Sequence, residues 1–190
     1  MTQIPAGTPH VYVVFSAEVN PTTTESLLAA MANCANAHAQ EVTLLISTNG
    51  GSVMHGMNLY NVLIGMPFRL TTHNVGNVDS IGNAIFLAGS PRYTSPGATF
   101  MFHGVAFKGD GMLLDERLTR ERLDGLQADK KRIGDVVTLR TKMESAFVAE
   151  MFSEGKTLHA TDAVRFGIVD EIRDVQIAPG APVLSLVFQR

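Results

Sequence analysis

The chain has a single cysteine, Cys34, so no disulfide can form within it. That excludes the small disulfide-stapled secreted class and fits a reducing compartment. No apolar run approaches the ~20 residues a membrane-spanning helix needs. Met1–Pro9 holds Pro5 and Pro9 and has no apolar centre, so it does not read as a secretory leader, and a cytoplasmic protein is expected. Charge of either sign is scarce in excess. A formal net charge of −3 over 190 residues gives no reason to expect a nucleic acid or an anionic membrane as partner. GxGxxG and GxxxxGK[ST] are both missing, so no nucleotide-binding loop is supported. HExxH and paired-cysteine spacings are missing too, so neither a metal nor another cofactor is expected.

What is present is ordinary globular material, 45% hydrophobic and 17% charged. A chain of this length buries about 70% of its unfolded surface, enough for one well-formed core. Val11–Phe15, Val42–Ile46, Phe68–Thr72 and Thr99–Phe102 are short runs rich in β-branched and aromatic residues. They read as strands covered on both faces, as in a parallel sheet. Helical periodicity lies between them, over 22–37, 53–64 and 80–88, the last stopped by Gly89 and Pro91. Strand alternating with helix predicts an α/β fold. From about Met112 to Phe152 the pattern changes. Leu126, Ile133, Val137, Phe147 and Met151 form one apolar stripe on an otherwise charged segment, read as one long helix or two in series. That stripe lies either on the chain's own sheet or on another subunit. A short helix over 160–166, closed by Gly167, precedes a strand over 168–172 and a last edge strand in APVLSLVFQR. The expected organisation is one domain over 1–190, with a core at 11–110, a helical arm at 112–152 and a C-terminal helix and strands at 157–190.

Two segments share a strand–glycine–helix layout. LLISTNGGSVMHGMNLY carries Gly50 and Gly51, and LTTHNVGNVDSIGNAIF carries Gly76 ahead of Ser80. Glycine turns beside a helix N-terminus suit a developing anion, either a phosphate or the oxyanion of an acyl transfer. Serine in front of a helix is first of all a cap, as is Asp79 beside it. A nucleophile needs in addition a base and oxyanion donors. Of the six histidines, His103 ends a predicted strand in TFMFHGV, and His73 ends another. Strand ends are where α/β proteins place their sites.

Taken in chain order, STNGGSV at 47–53, GNVDSIG at 76–82, MFHGV at 101–105 and HATDAVRFGIVD at 159–170 resemble the Clp protease proteolytic subunit family. The matching family patterns are NSPGGSV, GxAASMG, MIHQP and SAxEAxxYGLxD. The resemblance runs from about Val11 to Asp170. It implies the Clp/crotonase-like superhelix of repeated strand–strand–helix units with a long protruding handle helix. It implies a serine endopeptidase with Ser80 as nucleophile and His103 as general base. The backbone N–H groups of Gly51 and Ile81 would form the oxyanion hole, with Gly50 and Gly76 shaping the turns. It further implies a homo-oligomer of heptameric rings, stacked through the handle, acting on peptides or unfolded protein, with an ATP-driven unfoldase as partner.

The chain departs from the family at identifiable places. Gly155 stands at the position of the catalytic aspartate, and Glu154 beside it becomes the candidate third member. Asp79 replaces an alanine and brings negative charge next to Ser80. Gly104-Val105 replaces Gln-Pro. The family's axial loop and the helix after it, which engage the unfoldase, have no counterpart ahead of Val11. Lys130 and Lys131 would serve a Ser–Lys dyad, but KKR reads as a solvated basic run. These departures keep open an inactive scaffold subunit and a crotonase-like protein that binds acyl-coenzyme A.

Overall fold

A computed structural model describes residues 4–107, 111, 115–186 and 188. The elements in chain order are β1 (His10–Ser16), α1 (Pro21–Asn36), β2 (Glu41–Thr48), α2 (Val53–Leu63), β3 (Arg69–Asp79), α3 (Gly82–Phe86), β4 (Arg92–Thr94) and β5 (Thr99–Phe102). They are followed by α4 (Glu116–Arg140), α5 (Ser145–Glu154), β6 (Lys156–His159), α6 (Ala160–Arg165), β7 (Glu171–Ile172) and β8 (Val183–Ser185). The strands form one sheet in the order β6-β5-β3-β2-β1-β8, with β4 beside β3 and β7 beside β4. Every pairing is parallel except β5 with β6. The mixed α/β class expected from the alternation is the one observed.

Local chemistry explains the regular parts. Helix α1 starts at a reciprocal cap, with the Thr23 amide 3.0 Å from Asn20 Oδ1 and the Asn20 amide 3.0 Å from Thr23 Oγ1. Pro21 sits in its first turn, where a missing N–H costs nothing. Leu27, Met31 and Cys34 then line its inner face, each fully buried. Strands β1 and β2 are buried on both faces, as continuous apolar runs in a parallel sheet should be.

Several expectations change. The strand begun at Phe68 does not stop at Thr72 but continues to Asp79. Between Ile46↔Asn74 and Thr48↔Val78, β3 uses two more residues than β2, a bulge that carries Gly76. Gly76 therefore lies inside a strand and shapes no turn before Ser80. Helix α3 is shorter than the apolar spacing suggested and ends against α4, where Arg140 donates to the carbonyls of Leu87 (3.0 Å) and Ala88 (3.3 Å). Strands β4 and β6 escape the sequence reading because RYT and KTLH have no apolar pattern; pairing with β3, β5 and β7 makes them strands. The described part of the 112–152 segment is two helices in series, broken where Thr141 turns extended and its hydroxyl bonds Val137 O at 2.7 Å. Met112–Leu114, the expected start of that segment, lie outside the described residues, as do Val187, Gln189 and Arg190 of the last strand.

Helix α4 buries Ile133, Val136 and Val137 in its C-terminal half, while its N-terminal half is exposed and laced by Arg117–Glu121 and Glu116–Arg120 pairs. The stripe is thus divided: one end covers the chain's own core and the other stands off it. Among the described residues, no helix is long and apolar enough to cross a membrane.

Candidate active site

Strands β2, β3 and β5 run parallel and end at one edge of the sheet, so the residues that follow each of them meet there. After β2 come Gly50 and Gly51, with φ of +84° and +140°. The turn is tied to Val19, whose amide donates to Gly50 O at 2.7 Å and whose carbonyl accepts from the Ser52 amide at 2.8 Å. Any side chain at Gly51 would strike that carbonyl, since a Cβ there lies 2.3 Å from Val19 O. A Cβ at Gly50 would lie 2.7 Å from Ser80 Cβ and 2.8 Å from Asp79 O. The two segments singled out in the sequence are therefore in direct contact, and Gly50 is what permits it.

Ser80 follows β3 with φ of +56°, a left-handed conformation that serine adopts at a cost of about 1–2 kcal/mol. Its amide donates to Met101 O at 2.8 Å, which extends the β3–β5 ladder one step past Asp79. Its hydroxyl makes no hydrogen bond to any described residue. The helix behind it is entered through Ile81, with no side-chain cap, so capping is not what the Ser80 hydroxyl does. The amides of Gly51 and Ile81 likewise donate to no described residue, which leaves two N–H groups uncommitted beside the serine.

Asn83 and Asn77 were not found by the sequence reading, yet both hold this turn. Asn83, 1% exposed, donates through Nδ2 to Ser80 O (3.1 Å) and Met101 O (2.8 Å), fixing the left-handed residue to the next strand. Its Oδ1 is buried without a partner among the described residues. Asn77 Nδ2 donates to Asp79 Oδ2 at 2.8 Å and lies within reach of Asn49 Oδ1 and Thr48 O. The Asp79 carboxylate is thereby paired with an amide rather than free beside Ser80. An asparagine three residues past a serine, or two before an aspartate, was the only signal in the sequence, and it is a weak one.

His103 is the first residue after β5 and is exposed. Its Nδ1 is 2.7 Å from Gly104 O. A carbonyl only accepts, so Nδ1 donates in that contact, and it is the tautomer with Nε2 as acceptor that the contact selects for the neutral ring. No hydrogen bond joins His103 to Ser80 in this state. Glu154 sits exposed at the end of α5 and makes no hydrogen bond with His103. The antiparallel register pairs Phe102 with Lys156, so Gly155 falls next in line opposite His103. Gly155 has φ of +71°, and the direction of its absent side chain is open, with nothing within 4 Å of a Cβ built there.

His73 is not brought to this edge. It lies 3% exposed ahead of the β3 bulge, with Nε2 3.4 Å from Ser95 Oγ, and burial holds its pKa below the ordinary value. Lys131 is paired with Asp135 at 2.6 Å, as a solvated run would be. His55, given no context by the sequence, bonds Ser52 Oγ through Nδ1 at 2.8 Å in the first turn of α2.

The family model for Clp protease matches residues 9–176 of this chain. Among curated proteins, the chain is 27% identical over 135 residues to the ATP-dependent Clp protease proteolytic subunit 2 of Thermobifida fusca (strain YX). That match covers 70% of this chain and 65% of the relative, so it spans less than two thirds of the relative's length.

Proposed function

Because this chain belongs to the Clp protease family, a family of proteolytic function, we propose that it is a serine endopeptidase working through an acyl-enzyme on Ser80. The observation that carries the reading is Ser80 itself. It is held in a strained left-handed conformation in contact with the Gly50–Gly51 turn, and its hydroxyl and the amides of Gly51 and Ile81 bond no described residue. Strain of this kind persists only where the surrounding structure enforces it, as Asn83 does here.

In the proposed reaction, Ser80 Oγ attacks the peptide carbonyl carbon while His103 Nε2 takes the hydroxyl proton. The carbonyl oxygen becomes an oxyanion and is stabilised by the Gly51 and Ile81 amides, each contributing about 3 kcal/mol to the transition state. His103 then returns the proton to the leaving amine. Water, deprotonated by the same nitrogen, releases the acyl group and restores Ser80.

Among the described residues no carboxylate bonds His103, but the Gly104 carbonyl selects the same tautomer that a carboxylate would. The rate deficit is accordingly smaller than the ~10⁴-fold seen when a triad histidine is held in the wrong tautomer. A neutral carbonyl stabilises the imidazolium less than a charged group does, so some deficit remains. The Ser80–His103 bond must close on substrate binding or assembly, as free-enzyme geometry at such sites often does. The proposal extends to a cytoplasmic assembly of stacked heptameric rings joined through α4, acting on peptides and unfolded chains. The relative is named ATP-dependent, and by analogy an ATP-driven unfoldase would deliver folded substrates to this chain.

A second reading is an inactive scaffold subunit, favoured by the open Ser80–His103 pair and by Gly155. Fluorophosphonate labelling of the assembled protein, mapped by mass spectrometry with Ser80→Ala as control, separates the two. One adduct on Ser80 is expected. No adduct on assembled protein establishes the scaffold.

A further inference from the structure

Beside Gly51, away from the sheet, lies a cavity of about 330 Å³ between the first turn of α2, the segment after His103 and the outer half of α4. Its walls include Met54, Val105, Phe107, Arg122 and Asp129. From its position and its charge we infer that this cavity receives the side chain on the acyl side of the scissile bond and selects an acidic one. The inference rests on the serine-peptidase reading above and adds the substrate class.

Position follows from bond lengths. The carbonyl oxygen that sits on the Gly51 amide belongs to the substrate residue that supplies the acyl group, and that residue's side chain branches one bond from the carbonyl carbon. Gly51 itself lines the cavity, so this side chain has the shortest path into it. The volume accommodates any side chain, so size selects little and the wall chemistry must do so.

Among the described residues, three ionised groups line the space: Glu121, Arg122 and Asp129. Glu121 is bound to Arg117 at 2.5 Å, and Asp129 is bound to Arg132, both along the helix. Each of these carboxylates thus has a cationic partner on its own helix. Arg122 has no carboxylate within ion-pair distance among the described residues. It lies over the Phe107 ring, with Cζ 4.4 Å from the centroid. The ring contact anchors the guanidinium, and its N–H donors bond no described residue, so they are available to grip a carboxylate. Among the described residues, Arg122 is therefore the one ionised lining group without an ion-pair partner, and it lies above an apolar wall. A glutamate side chain satisfies both, its methylenes against Met54 and Val105 and its carboxylate on Arg122. A lysine would meet the unmatched guanidinium, and a leucine would leave it unpaired.

The test uses assembled wild type and two variants, Arg122→Gln and Arg122→Glu. Paired fluorogenic tripeptide amides ending in Glu, Gln, Leu or Lys are compared by kcat/KM, with fluorophosphonate labelling of Ser80 run in parallel. Wild type is expected to prefer Glu over isosteric Gln by about fivefold at low salt, since the pair is partly solvated. The preference shrinks as ionic strength rises. In Arg122→Gln the Glu/Gln ratio falls to about one, and in Arg122→Glu it inverts in favour of Lys. Labelled enzyme that prefers Leu, or shows no Glu/Gln difference, overturns the inference and leaves the peptidase reading intact. Absence of labelling and of hydrolysis of all four peptides overturns both.

Discussion

Replacing Gly51 with alanine tests the oxyanion hole and the turn at once. The added Cβ lands 2.3 Å from Val19 O. Ordinary contact requires about 1 Å more, so the turn or the Val19 carbonyl has to retreat by roughly that distance. Retreat strains the Val19 N–H bond to Gly50 O and the Ser52 N–H bond to Val19 O, each worth about 1 kcal/mol. The φ of +140° adds about 1–2 kcal/mol for a residue with a side chain. The expected loss is about 2–4 kcal/mol, or a fall in Tm of roughly 5–15 °C for a domain of this size. Activity should fall further than stability implies, because a donor displaced by ~1 Å no longer meets the oxyanion; a loss of 10²–10³ in kcat is expected, about that of deleting one donor. The assay is peptide hydrolysis and Ser80 labelling at 25 °C, with circular dichroism to show that the variant is folded. Gly97→Ala is the control: nothing lies within 4 Å of its Cβ, and neither Tm nor rate should move. A folded Gly51→Ala protein that hydrolyses peptide within about threefold of wild type would refute the role given to this amide.

Three other outcomes are expected. Gly155→Asp should raise kcat, by no more than ~10⁴, because the register sets residue 155 opposite His103 and its Cβ direction is open. The positive φ there should cost about 1–3 kcal/mol, so Tm falls as activity rises; an unchanged or lower kcat in a folded variant would remove orientation of His103 as the limiting factor. Cys34 is fully buried, and burial pushes its thiol up to about 11 from 9.0, so iodoacetamide at pH 8 should modify only unfolded protein. Above pH 9 the unfolded thiol ionises while the folded one keeps its proton. Stability should therefore decline between about pH 9 and 11, by about 2–3 kcal/mol in denaturant titrations, and Cys34→Ser should flatten that part of the profile.

The residues now proposed for chemistry were visible in the linear sequence as types and spacings. Short β-branched runs marked β1, β2 and β5, and Gly50 and Gly51 marked the turn ahead of α2, because strand burial and left-handed backbone leave local signatures. His103 was legible because it ends a predicted strand, and Ser80 because it stands between a glycine and the start of an apolar helix. What the sequence alone left undecided was whether Ser80 caps a helix, whether Asp79 is paired and whether anything orients His103. Those answers depend on contacts between residues far apart in the chain. Asn83 to the Met101 carbonyl, Gly50 against Ser80 and Gly155 opposite His103 each arise from strand register. The β3 bulge at Gly76 displaces that register, and no local pattern announces it. Arg122 over the cavity belongs to the same class. A charge on an exposed helix looks solvated in sequence, and only the packing of α4 over Gly51 and Phe107 gives it something to select.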